Sequence, residues 1–250
     1  MSWDRRRPEA VLWDLDGTLI DSEPIYIEVA DALVRAAGGR LSDQVKRDLV
    51  ARPMDDLVDA VLQADPKNQV DGDRADGGDR IRARDQAKPR DQIDARTRAE
   101  LAQVINAGVM ERLAGQAPWR PGARQALAEL HRSGCPLGLA TLSFRDYVDL
   151  VLADLGFNPF GAIVAGDEAG LRPKPDPDPY LRLARRLSVD PARCLVLEDS
   201  VIGVQAGRAA GAQVIALHAE EAAARQLADR VWPSLLGRTP ADFDLTGPPD

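Results

Sequence analysis

Two cysteines and two histidines are all that the 250 residues contain. Cys135 and Cys194 fall just before or at the starts of expected strands, away from the strand C-termini, where free thiols act as inert small hydrophobes in a reducing compartment. His131, on an expected helix, and His218, after the last strong strand, are too separate in role to suggest zinc, and neither is assigned a function. Long apolar runs are missing as well. The runs present are short and interrupted by charge, and Arg5-Arg6-Arg7 is followed by Pro8-Glu9 rather than an apolar signal segment. No membrane contact is therefore expected, the cytoplasm is the expected location, and the arginine cluster is a solvated leader. Basic excess is the last absence: a net charge of -8 argues against a nucleic-acid partner, which needs a basic surface. What remains, 44% hydrophobic residues in a chain of this length, suffices for one α/β core plus a small appended domain.

The most informative stretch runs from Pro8 to Pro24. Ala10 to Trp13 reads as a short buried strand that stops at Asp14-Leu15-Asp16-Gly17-Thr18, where turn-forming and ionisable residues take over. Two carboxylates two residues apart at a strand end point the same way, at the edge where open α/β sheets bind ligands. Asp14 and Asp16 are then either solvated turn residues beside a permissive Gly17, or the start of a magnesium and phosphoryl site. Later strand ends decide between the two. After the strand Pro136 to Ala140 comes Thr141-Leu142-Ser143, a hydroxyl with free backbone N–H groups opening a helix near Phe144, which suits a phosphate, although Thr141 alone reads as a helix cap. After Ala162 to Ala165 comes Arg172-Pro173-Lys174-Pro175, whose flanking prolines stiffen the loop and aim Lys174 as a point charge for an anion. After Cys194 to Leu197 come Glu198-Asp199-Ser200, acids that a shared cation explains together with the first pair. Gly203, Ala206, Gly207 and Ala210 give the following helix small faces, with Gly211 as its stop.

With these four motifs in this order, the chain resembles the haloacid dehalogenase superfamily, in the β-phosphoglucomutase-like subgroup with a helical cap. The likeness covers the first two dozen residues and roughly residues 119–217, and is weaker between them. It implies a Rossmann-like α/β core with an inserted all-α cap, and a Mg²⁺-dependent phosphatase acting on a small phosphorylated metabolite. It further implies Asp14 as the nucleophile that forms an aspartyl-phosphate and Asp16 as the general acid and base. Thr141, Leu142 and Lys174 would hold the phosphoryl group. Asp14, Asp199 and the Asp16 backbone carbonyl would bind Mg²⁺, with Glu198 helping through water or from behind them. A phosphomutase of the β-phosphoglucomutase type and a non-catalytic phospho-ligand binder stay open as alternatives. The mutase reading is weakened because Ser22-Glu23-Pro24-Ile25-Tyr26 lacks the histidine common in that group, and the binder reading by the intact Asp14 and Asp16. Asp16 also disfavours the dehalogenase branch, which lacks an acid there. A phosphonatase would need a cap lysine, and Lys46, Lys67 and Lys88 have no supporting context. Glu23 and Arg52 are candidates for substrate selection, although Ala51 stands where relatives usually carry glycine.

The expected domains are a core of residues 1–21 and 117–250 and a helical cap of residues 22–116. In the cap, Ile25 to Ala37 is a helix with Ile25, Val29, Leu33 and Ala36 on one face. Ser42 caps a second helix carrying Val45, Leu49 and Val50, and a third carries Leu57, Val58, Val61 and Leu62. Such a lid would exclude water from the bound substrate. Residues 65–94 are polar and nearly charge-balanced, and are expected to be flexible. Helix resumes near Thr97 through Leu113 with Val104, Ile105, Val109 and Leu113 on its apolar side, and Gln116 to Gly122 is the return hinge. Strands and helices then alternate to Leu217, which predicts a parallel sheet with helices on both faces. Ala222 to Ala228 can be helical, the end from Pro240 is a loose tail, and the oligomeric state is monomer or homodimer.

Overall fold

A computed structural model of the chain describes residues 7–49, 54–64 and 94–245. The described residues cluster into two compact units, Met1–Ser22 with Leu113–Asp250, and Glu23–Arg112. Arg52, the arginines at positions 5 and 6, and nearly all of the polar stretch 65–94 lie outside the described residues.

The first unit is built on strands β1 (Ala10–Trp13), β2 (Leu137–Ala140), β3 (Ala162–Val164), β4 (Cys194–Glu198), β5 (Gln213–Leu217) and β6 (Arg230–Trp232), paired throughout in parallel in the order β3-β2-β1-β4-β5-β6. Parallel strands covered on both faces read as continuous apolar runs rather than alternating ones. The sequence Ala-Val-Leu-Trp of β1 is such a run and is buried at every position. One face of the sheet packs Leu12, Val196 and Val214 under Tyr180 and Leu183 of α7 (Asp178–Leu187) and Val204 and Ala206 of α8 (Val201–Ala209). On the other face Val11, Trp13, Leu139 and Leu197 are equally buried. The chain order reverses at β1, with β2 on one side and β4 on the other. In a doubly wound sheet this is where a crevice opens beyond the strand C-termini.

Helices α5 (Ala123–Arg132) and α6 (Arg145–Leu155) alternate with these strands, and α6 ends at Gly156 with φ 86°, a conformation that glycine adopts without steric cost. The C-terminal end departs from expectation. Strand β6 has no counterpart in the sequence pattern, and Pro240–Asp242 is a 3₁₀ turn closed by reciprocal bonds between Thr239 and Asp242 rather than a loose tail. Phe243 behind it is buried, 5.8 Å from the Trp13 ring and 5.2 Å from that of Trp232, so the segment seals the sheet.

The second unit holds α1 (Glu23–Ala36), α2 (Asp43–Asp48), α3 (Met54–Ala64) and most of α4 (Ala95–Leu113). Ser42 caps α2 through the Val45 N–H at 3.2 Å, and Leu57, Val58 and Val61 form the buried side of α3. Three faces differ from the pattern expected. Along α1 the buried line is Val29, Ala30 and Val34, with Ala36 exposed, while Val45 and Val104 face solvent. In α4, Ile105, Val109 and Leu113 carry the burial, as expected.

Candidate active site

The register of the sheet brings the chemistry together. Trp13 pairs with both Leu139 and Leu197, so the residues that follow each of these strands emerge side by side at one edge. The Asp14 N–H donates to the Leu197 carbonyl at 3.0 Å, and the Thr141 N–H to the Val164 carbonyl at 3.0 Å, which pins both loop starts to neighbouring strands. Gly17 then turns the first loop with φ 79°, where a Cβ would stand 1.9 Å from Asp199 Oδ2. Only glycine lets that carboxylate approach the backbone so closely.

Asp14, Glu198 and Asp199 each offer a carboxylate oxygen, all within 4.8 Å of one another. Lys174 reaches into this group from the loop after β3. Its Nζ donates to Asp14 Oδ1 at 2.6 Å, Glu198 Oε1 at 2.6 Å and the Ala140 carbonyl at 3.0 Å, and the side chain is buried. All three ammonium N–H groups are therefore engaged. Burial first, and repulsion from Glu198 second, push the Asp14 carboxyl up to about 7, against the pull of Lys174. Burial alone would lower the Lys174 pKa, but Asp14 and Glu198 together hold it above the ordinary lysine value. Three acids crowd around one ammonium here, two of them buried and Asp199 half-buried, and they repel one another. Hard oxygen donors at this spacing suit a divalent cation, and its charge would relieve that repulsion.

Asp16 lies beside this group with its carboxylate ringed by hydroxyls. Ser22 Oγ at 2.6 Å and Tyr147 Oη at 2.7 Å donate to Oδ1, while Ser143 Oγ at 2.7 Å and Thr141 Oγ1 at 3.2 Å donate to Oδ2. Leu142, half-buried, sits between the two donors of the second loop. The structure thus gathers Asp14, Asp16, Thr141, Lys174, Glu198 and Asp199 at one edge. Glu23 opens α1 in the other unit.

Four hydroxyls that sequence reasoning missed complete the arrangement. Ser22, Ser143 and Tyr147 bind Asp16, and Tyr180 Oη donates to Glu198 Oε1 at 2.6 Å from a fully buried position. The Lys174 ammonium also lies 5.3 Å from the centre of the Tyr180 ring, an added cation–π attraction. Of the four, Ser143 alone had a local signal, two residues beyond Thr141 on the same loop. Behind the site, a Cβ on Gly203 would stand 1.9 Å from the Glu198 carboxyl, so α8 can pass only with glycine there. The two cysteines are buried free thiols that burial pushes up to about 11 at Cys135 and about 12 at Cys194.

A family profile described as hydrolase, haloacid dehalogenase-like hydrolase, matches residues 8–211. Hexitol phosphatase B of Escherichia coli K12 is 28% identical over 214 residues, 85% of each chain. The bifunctional riboflavin kinase/FMN phosphatase of Arabidopsis thaliana is 41% identical over 98 residues, which are 39% of this chain and only 26% of that longer protein. Among solved structures, CbbY from Rhodobacter sphaeroides in complex with xylulose-(1,5)bisphosphate superposes with a TM-score of 0.72 at 26% identity, covering 95% of this chain and 100% of the other.

Proposed function

Because the chain belongs to the haloacid dehalogenase-like hydrolases, in their β-phosphoglucomutase/CbbY-like branch with a helical insertion, and is a phosphatase of that family, we propose that it hydrolyses a small sugar phosphate with Mg²⁺ through an aspartyl-phosphate. The supporting observation is Lys174, held 2.6 Å from both Asp14 and Glu198 where the acidic trio meets the hydroxyl-bearing loop after β2. The names of the relatives point to sugar and polyol phosphates, one a hexitol phosphatase and the other bound to a pentulose bisphosphate.

In this reading the Asp14 carboxylate attacks phosphorus while the ester bond breaks, and Asp16 gives a proton to the departing oxygen. Asp16 then takes a proton from water as that water attacks the phosphorylated Asp14, and the P–O bond to Asp14 breaks to release phosphate. The Thr141 hydroxyl, the Leu142 N–H and the Lys174 ammonium steady the transferring oxygens, so positioning and electrostatics supply most of the rate. Lys174 orients Asp14 and favours its ionised form against the burial that raises its pKa, and its contact with a phosphoryl oxygen requires one of its three present acceptors to give way. Asp14, Asp199 and the Asp16 carbonyl would hold Mg²⁺ with Glu198 behind them, and when bound the ion supplies positive charge against the phosphoryl oxygens.

Purified protein with Mg²⁺, offered a panel of sugar, nucleotide and glycolytic phosphates, should release inorganic phosphate from a sugar phosphate without forming an isomer. Asp14→Asn should abolish that release. Isomer formation would replace the hydrolase with a mutase. Binding without turnover across the whole panel would leave a phospho-ligand binder.

A further inference from the structure

Asp16 has two oxygens, and the structure treats them differently. Oδ2 is bonded by Ser143 and, more loosely, by Thr141, both on the loop after β2 that is assigned to the phosphoryl group. Oδ1 is bonded by Tyr147 and Ser22, and both of these residues are fully buried. Tyr147 stands in the first turn of α6, with Val148 and Val151 buried beside it, so its ring has no freedom to swing away. When a phosphoryl group takes up the Thr141 hydroxyl, Oδ2 loses a donor, whereas Oδ1 keeps both of its own. A carboxyl proton cannot sit on an oxygen whose lone pairs already accept two hydroxyl protons unless one donor turns away.

We infer that Tyr147 is a positioning residue for Asp16: its phenol occupies Oδ1 and so confines the transferable proton to Oδ2, the oxygen on the side of the phosphate-binding loop. This rests on the general acid and base role proposed for Asp16. In the step it serves, the Oδ2–H bond breaks and its proton passes to the ester oxygen as that oxygen leaves phosphorus and Asp14 bonds to phosphorus. The sugar departs as a neutral alcohol. In the second half the same oxygen receives the proton of the attacking water.

The test exploits the leaving group. An alkoxide must be protonated as it departs, whereas p-nitrophenolate leaves without help, so a fault in proton delivery lowers kcat/KM for the first and spares the second. A fault in packing lowers both. Tyr147→Phe keeps the ring and removes only the hydroxyl. It should lower kcat/KM about tenfold or more on the sugar phosphate that the wild type hydrolyses best, and less than about threefold on p-nitrophenyl phosphate, a fraction of the roughly 10²-fold or larger effect of a lost general acid. The aryl rate of the same preparation reports that the variant is folded. Equal losses on both esters, or no loss on either, would overturn the inference. Asp16→Asn is the benchmark: if it shows no preference for sparing the aryl ester, the role proposed for Asp16 fails, and the assignment of Tyr147 falls with it for that separate reason.

Discussion

Single atoms set the tolerance of this site. Lys174 is enclosed by two carboxylates and a carbonyl, and removing one partner of a buried ion cluster leaves the others uncompensated. Lys174→Met is accordingly expected to cost about 3–5 kcal/mol of unfolding free energy in urea titrations, besides abolishing turnover. Gly203→Ala is subtler. Its methyl group would overlap the Glu198 carboxyl, so that side chain must shift, pulling against both Lys174 and Tyr180. Calorimetric titration should show weaker Mg²⁺ binding for this variant than for wild type, and unchanged affinity would mean that Glu198 stands apart from the cation. The chain has three tyrosines, and two of them spend their hydroxyls on carboxylates of this one edge.

At the scale of elements, the start of α7 holds the lysine loop in place. Asp178 accepts the Arg172 N–H at 3.1 Å and Arg182 Nε at 2.9 Å, and the backbone bond first, then Arg182, holds its carboxyl below the usual range. A pKa lowered on folding contributes stability above the unfolded value of roughly 3.9 and loses it as pH falls through the folded value. Asp178→Asn should therefore lower the urea midpoint at neutral pH, and the gap to wild type should close as the pH drops below roughly 4. A gap independent of pH would rule out the charge as its source. The C-terminal turn is a second lever: Phe243→Ala should cost about 3–5 kcal/mol, read from urea unfolding, because it opens a cavity between Trp13 and Trp232. Which elements are legible in the sequence follows from the same physics. Strand β1 announces itself because a buried parallel strand is apolar at every position and Asp14 ends it abruptly. Strand β6 gives no such sign, being three residues at the sheet edge with Arg230 among them. The strand-end acids are legible because each sits beside its own apolar run, but Tyr147 lies 131 residues from the carboxylate it serves, and no local pattern links the two.

For the molecule as a whole, a cation held among Asp14, Glu198 and Asp199 would couple stability to its concentration. A ligand that binds only the folded state stabilises it by mass action, about 1.4 kcal/mol at ten times its dissociation constant. Melting temperature should then rise with Mg²⁺ concentration and fall back on chelation, and Asp199→Asn should flatten that response. Among the described residues no helix is long and apolar enough to cross a membrane.

The placement of β1 carries a further consequence. Val11 pairs with Leu137, 137 - 11 = 126 positions later, and with Leu195, 195 - 11 = 184 positions later. Strand β1 is thus made well before either of its neighbours, and it must stay unpaired until Leu137 and then Leu195 have been synthesised. Distant pairings of this kind slow folding and leave apolar backbone open to the wrong partner in the meantime. The keystone of this arch is cut long before the stones on either side of it.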